Sequence, residues 1–295
     1  MQATLPQSGT AVRLFALLLC LGVALSAHGG KKKDGDDAIR RQAESSLLVS
    51  GEITISADGK VLDHRLDNVD ALPKGIVDFT ADVARKWSFE PVALAGAQAT
   101  RSRMSLLYVV KPLDDDRHTL ELRSASFEAD LPPEARVTVA RRGRMPNYPP
   151  ALSQNRIGAT VYLHVQVGRD GKVMNIDASH VNLRAVGSEK NMALWRDAFE
   201  KLSIQAIRGW TFKPPTVGPD IDAPHWFGTL PVMFIAEDVP EPQPGKWEAY
   251  IPGPRKVIPW LDGKGLTADQ TDALAPNQFH SGGNSRRLTS PLTGG

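Results

Sequence analysis

The sequence predicts an α+β fold made of two small two-layer units. Each unit is a three-stranded antiparallel sheet with one packed helix; a linker joins the two, and a Pro/Gly-rich tail follows. Three observations predict this. A phrase of Arg, Trp, Ser or Thr, Phe and Pro occurs twice, as RKWSFEP at residues 85–91 and RGWTFKP at 208–214. Upstream of each stands Asp-Gly-Lys-Val, at Asp58, Gly59, Lys60, Val61 and at Asp170, Gly171, Lys172, Val173. An alternating apolar and polar run precedes each of those, as a half-buried strand requires. The same features in the same order make an internal repeat.

Residues 1–27 read as a signal peptide. Arg13 precedes an apolar run from Leu14 to Leu25, and small residues around Ala24, Ser26 and Ala27 offer a cleavage site. The run is short for a span of about 20 apolar residues. Retention as a signal anchor is the alternative. Cys20 is the single cysteine; Leu19 ahead of it is large for a lipidation site, and removal of the leader leaves a chain without thiols. Residues 28–42 form a charged linker in which Lys31, Lys32 and Lys33 are balanced by Asp34, Asp36 and Asp37. The net charge of +2 gives no field that points to nucleic acid.

The first unit spans 43–110. Ile53 and Ile55 alternate with Glu52, Thr54 and Ser56, and Gly59 suits a tight hairpin because it accepts a positive φ. A return strand covers 62–66. Ile76, Thr80, Val83 and Trp87 make a helical stripe behind Pro73, and SRMSLLYVV closes the unit as a third strand. The linker 111–144 is charged and Pro-rich, with room for a strand in TLELRS and another in ARVTVA.

The second unit spans 145–236. Val161, Leu163, Val165 and Val167 alternate with Tyr162, His164 and Gln166, so that His164 is placed on a solvated face. Gly171 turns the hairpin. Met192, Trp195, Phe199, Leu202 and Ala206 form the helical stripe, with Ser188 as cap and Glu189 in the first turn. GTLPVMFIA is the third strand. In both copies Pro91 and Pro214 stop the helix from continuing. Trp87, Phe89, Trp210 and Phe212 are assigned to the core as structural residues, with Gly59 and Gly171 as structural turns. The tail, 237–295, reads as mostly disordered, apart from a short helix with Thr267 and Gln270 at its start.

The order of features in 145–236 resembles the C-terminal domain of TonB-family proteins: MPNYPPA, a Gly before an alternating strand, Asp-Gly-Lys-Val, and a helix ending in Trp-x-Phe-x-Pro. Residues 43–110 look like a degenerate copy without the Tyr-Pro lead-in. The resemblance implies a periplasmic module that takes an extended peptide as an added strand, which an open sheet edge permits. By resemblance the peptide-binding residues are Pro146, Tyr148 and Pro149 in the lead-in and Leu230, Val232, Met233, Phe234 and Ile235 in the last strand. The implied partner is an outer-membrane transporter or another envelope protein. The sequence departs from the family at Met145, where Gln is common, and at Ser179, His180 and Val181, where a Ser-Ser-Gly step is usual.

No catalytic constellation emerges. The 7 His are scattered, and His164 and His180 lack a partner at metal spacing. Gly263, Lys264 and Gly265 do not form a phosphate loop; Asp114, Asp115 and Asp116 lack calcium-loop spacing; no nucleophile elbow is present. The expectation is no enzyme, no cofactor and no metal. Three functions follow. The first is a periplasmic TonB-like binding or adaptor protein associated with transmembrane transport at the outer membrane. The second is a membrane-anchored energy transducer, in the inner membrane with a single span, meeting an inner-membrane motor only if the leader is retained. Against it, 14–25 holds no His, and only about 15 residues, at most about 50 Å extended, separate the leader from the first unit. The third is a structural protein of the cell envelope without a peptide ligand. Edge-strand pairing into a homodimer stays open.

Overall fold

The computed structural model describes residues 42–91, 97–113, 117–236, 238–243, 245–261 and 268–293. The leader with Cys20, most of the 28–42 linker, Asp114 to Asp116, Gly263 to Gly265 and Thr267 lie outside the described residues. In chain order the elements are β1 (Glu44–Ser56), β2 (Val61–Leu66), α1 (Lys74–Ala84), β3 (Ala99–Pro112), β4 (His118–Ala129), β5 (Thr138–Arg141), α2 (Pro150–Gln154), β6 (Ala159–Gly168), β7 (Val173–Leu183), α3 (Glu189–Ile207), β8 (Thr211–Lys213), β9 (His225–Phe234), β10 (Glu248–Tyr250), α4 (Ala268–Thr271) and β11 (His280–Ser281).

The two Asp-Gly turns close alike. Ser56 N donates to Lys60 O and Gly59 N to Ser56 O, each at 2.9 Å; Gly168 N donates to Lys172 O and Gly171 N to Gly168 O, again at 2.9 Å. Gly59 has φ +87° and Gly171 φ +74°. This is a three-residue hairpin loop with its glycine in the left-handed region. The Trp-Phe phrase then docks on the turn. Phe89 N donates to Gly59 O at 2.8 Å, and Phe212 N to Gly171 O at 2.7 Å. A Cβ on Gly59 would stand 2.0 Å from Phe89 O, and one on Gly171 2.1 Å from Phe212 O. Glycine is therefore demanded twice over, by φ and by space. We refer to this contact as the clasp.

The helices fill the space above each clasp. α1 buries Ile76, Thr80, Val83 and Ala84, and the Thr80 hydroxyl is satisfied by Ile76 O and Tyr108 Oη, both at 2.6 Å. Ser188 caps α3, accepting from Asn191 N at 3.3 Å, with Glu189 in the first turn. The buried face of α3 is Met192, Phe199, Ser203 and Ile207. That is a rotation from the expected stripe, in which Leu202 and Ala206 faced the core. Ser203 can be buried because its hydroxyl donates to Phe199 O at 2.7 Å. Trp87, Phe89, Trp210 and Phe212 are all buried. Trp87 and Phe89 pack edge-on against Phe127, at 5.2 and 4.8 Å between centroids.

The chain is a mixed α+β protein with antiparallel sheets, but the sheets are larger than expected. The first has five strands in the order β10-β1-β3-β4, with β2 also on β1, along the edge that β10 shares. The second has four, β11-β9-β6-β7, and β5 pairs with β8 in a two-stranded ribbon. β4 and β5 come from the linker. The tail, expected to be mostly disordered, supplies β10, α4 and β11 and lies against β4 through Ala273, whose N–H donates to Ser124 Oγ at 3.0 Å. The tail also changes what β6 is. All ten positions of β6 are buried, including the polar face of Tyr162, His164 and Gln166 that the alternation assigns to solvent. His164 is 3% exposed and is a buried residue, because this face is covered on its outer side too.

Gly59→Ala and Gly171→Ala are each expected to lower the free energy of unfolding by about 2–4 kcal/mol, through the strained φ and the clash with the Phe carbonyl. Gly75→Ala in α1, where nothing lies within 4 Å of the added carbon, is expected to stabilise by about 0.5–1 kcal/mol. Urea titrations of the three variants check both signs.

Candidate functional site

The lead-in residues act first on the chain itself. Pro149 caps α2 and Pro150 is its first residue; Pro146 is half-buried and Asn147 exposed. The Tyr148 hydroxyl donates to Ile157 O at 2.9 Å. Its ring meets Phe199 and Phe234 edge-on, at 5.9 and 5.6 Å, and burial pushes its hydroxyl up to about 12. Leu230, Val232 and Phe234 belong to the core of the second sheet, with Met233 half-buried and Ile235 one residue past the end of β9. The fold thus brings Tyr148 to the end of β9 but turns alternate β9 side chains inward. What remains of β9 for a partner is its backbone edge.

That edge is held by the tail. β9 pairs with β6 along its whole length. On its other side His280 pairs with Thr229 and Ser281 with Gly228. Next to them Asn277 N donates to Pro231 O at 2.7 Å, and Asn277 Oδ1 accepts from Met233 N at 3.0 Å. Pro231 is placed where a strand tolerates it, with no N–H to offer the open side. Asn277 takes φ +59°, a conformation that Asn accepts more readily than most residues. Phe279 lies over Gly228, whose missing side chain makes room for the ring, and reaches Phe212 at 4.7 Å.

The covered face of the second sheet carries a polar cluster. Tyr162 stacks on His180, with 4.2 Å between centroids and planes 10° apart. His180 Nε2 lies 3.1 Å from Asp272 Oδ1, close enough for an ion pair but not aligned as a hydrogen bond. Arg255 donates to the other Asp272 oxygen. Burial raises Asp272, but His180 and Arg255 outweigh it and hold the carboxyl below the usual range. His164 meets Thr229 Oγ1 at 3.2 Å, and burial, with His180 and Arg255 nearby, pushes it down to about 4. The cluster therefore fastens the tail, through Asp272 and Arg255, to β6 and β7.

A second network joins the sheets at β10. Arg123 binds Glu44, and the Tyr250 hydroxyl donates to Glu44 at 2.6 Å; Arg184 donates to Glu248 at 2.8 Å. Between these pairs lies a cleft of about 50 Å³, with Ser46 and Leu107 on one wall and Tyr162, Asn182 and Arg184 on the other. That volume suits about one or two waters rather than a substrate.

Ser179 Oγ stands 3.0 Å from His180 Nδ1, so Ser179, His180 and Asp272 touch in a row. The imidazole is 2% exposed, covered by Tyr162 and held by the tail, whereas Ser179 beside it is half-buried. Among the described residues no three His, Cys, Asp or Glu are grouped to hold a metal, and no helix is long and apolar enough to cross a membrane.

No family model, curated protein or solved structure matches the chain. The residues that sequence reasoning missed are Asn277, Asp272 and Arg255. Their one signal was the Pro-Asn pair at 276–277, a turn mark inside a stretch that otherwise lacks periodicity.

His164 gives the site a pH signature. Its folded pKa lies below the ordinary value of 6.5, so between pH 6.5 and about 4 the unfolded chain takes up a proton that the folded chain refuses. Stability present above pH 6.5 is lost as the pH falls through that window, by up to ~3 kcal/mol. His164→Gln is expected to flatten the fall of the urea midpoint over this range. Equal slopes in both proteins would contradict the burial of a neutral imidazole.

Proposed function

We propose that the protein is a periplasmic binding or adaptor module of the TonB C-terminal type, which accepts an extended peptide from an outer-membrane transporter or another envelope protein. The finer architecture belongs to the same proposal: two related units, each built on a strand hairpin, a helix and a returning strand, the first a degenerate copy. The two identical clasps support it, since Gly59 with Phe89 and Gly171 with Phe212 occupy the same place between hairpin and returning strand.

The observation that carries the binding role is the state of the β9 edge. One side of β9 is paired over ten residues, whereas the other is closed by two ladder residues and one asparagine. A peptide that adds to β9 makes more backbone bonds than the tail segment it replaces. On this reading 277–281 is a built-in occupant of the binding edge, and a ligand must displace it. A leader that is removed leaves the module free in the periplasm.

Asn277→Gly tests this, because glycine keeps the left-handed backbone and deletes only the bond to Met233 N. Peptides copied from transporter N-termini would be titrated into the wild type and the variant, with the amide signals of Thr229 and Met233 followed by NMR. The variant is expected to respond at about five- to tenfold lower peptide concentration, the worth of one hydrogen bond. Amides that stay still in both proteins would sink edge addition.

A further inference from the structure

The two clasps are completed by different segments of the chain. In the first, the tail runs along the phrase: Thr289 N donates to Ser88 O at 2.7 Å, Glu90 N to Arg287 O at 3.0 Å, and Leu292 O accepts from Trp87 Nε1 at 2.9 Å. In the second, β5 takes the tail's place and pairs Val139 with Phe212 and Arg141 with Thr211. The chain then leaves through Arg142 and Gly143, and Trp210 Nε1, in a side chain only 2% exposed, has no hydrogen-bond partner among the described residues. A buried indole N–H without an acceptor is rare.

The charged residues nearest to that N–H along the chain are all cationic. The Arg142 guanidinium lies 5.8 Å from the Trp210 ring centroid. Gly143 sits on the pyrrole edge, where an added Cβ would be 3.1 Å from Cδ1 and 3.5 Å from Nε1, so only a glycine leaves this edge so thinly covered. Arg141 and Arg144 flank the pair, Arg208 caps α3 two residues before the Trp, and Lys213 follows on β8; all are exposed. No Asp or Glu occurs in 135–168 or in 201–219. None of these five cations forms an ion pair among the described residues, and Asp170, beyond β8, is taken by Lys172 at 3.4 Å. The helix C-terminus accounts for Arg208. It does not account for an unpaired indole under an arginine-rich turn.

We propose that Trp210 Nε1 and the Arg142–Arg144 turn form a site for a phosphate group, either free or at the head of a membrane lipid. One phosphate oxygen accepts from Nε1, as Leu292 O does at Trp87, and the guanidiniums of Arg142 and Arg144 pair with the remaining charge, a geometry that suits planar forked donors. The site is independent of the β9 edge and of any peptide.

The test uses the full chain labelled with nitrogen-15. The Trp210 indole N–H signal is identified by its through-space contact with Gly143 and followed as inorganic phosphate replaces chloride at constant ionic strength. The expected result is a saturable downfield shift, with affinity about tenfold or more weaker in Arg142→Gln/Arg144→Gln, two surface changes that leave the core intact. A second arm sediments the chain with phosphatidylglycerol vesicles and with phosphatidylcholine vesicles. Phosphate saturation supports the free ion as source; cosedimentation with phosphatidylglycerol that the double variant loses supports the headgroup. An indole signal that phosphate does not move, together with vesicle binding that is absent or unchanged in the double variant, overturns the proposal. A shift that chloride reproduces overturns it as well.

Discussion

The rest of the fold hangs on a contact of two backbone groups. In each clasp a glycine in the left-handed region offers its carbonyl to the N–H of a phenylalanine that follows a helix. The bond ties the tip of a hairpin to the exit of a helix some 30 to 40 residues later, in a chain that has no cross-link there. Once it forms, the helix must lie over the sheet and the Trp two residues before the Phe must enter the core. The next strand can then reach only the open side of β1 or β6, because the hairpin partner holds the other. Strand order β2-β1-β3 and β7-β6-β9 follows from this closure. A side chain at either glycine would break it, which is why the Asp-Gly-Lys turn and the Trp-Phe phrase repeat together.

Much of this was legible from the residues. Alternation gave β1 and β6, the glycines gave the turns, and Ser188 with Glu189 gave the start of α3. The Ser inside α3 misled by one step: Ser203 is polar, so the stripe was drawn through Leu202, yet its hydroxyl folds back on Phe199 O and the residue enters the core. The larger misjudgement was His164. A polar residue alternating with valines reads as solvated, and the pattern cannot reveal that Thr229, His180 and Asp272 arrive from far along the chain to meet it. Nor could it reveal the tail. Segments such as 248–250 and 277–281 have no period because each lays down only two or three residues before it turns away.

The tail works as a third kind of element, neither core nor linker. It extends the first sheet through β10, pairs Leu183 with Ile251 on β7, and touches β4 at Ala273 and again at Glu128, opposite Ser285. It closes β9 through Asn277 and His280, and it ends on the first clasp, where Leu292 completes Trp87. Several of these contacts fall on strand edges or on donors left open by the sheets, such as the Trp87 indole N–H. The second clasp is the exception, since the linker strand β5 pairs there with β8 in the tail's place.

The strength of this fastening is uneven, and the unevenness has a direction. Asp272 is buried between His180 and Arg255, and removing one partner from such a group leaves a charge without compensation, a penalty of about 3–5 kcal/mol. Asn277 to Ser281 holds the backbone edge of β9 by a few neutral hydrogen bonds, each worth about 1 kcal/mol net, beside the Phe279 ring on Phe212 and the His280 contact with Glu128. Local opening follows the weaker set. The segment over β9 can therefore lift while Asp272 keeps the tail attached a few residues upstream, so that exposure of the β9 edge does not require release of the tail or loss of β10. A strand edge guarded in this way is protected from aggregation while the segment covers it.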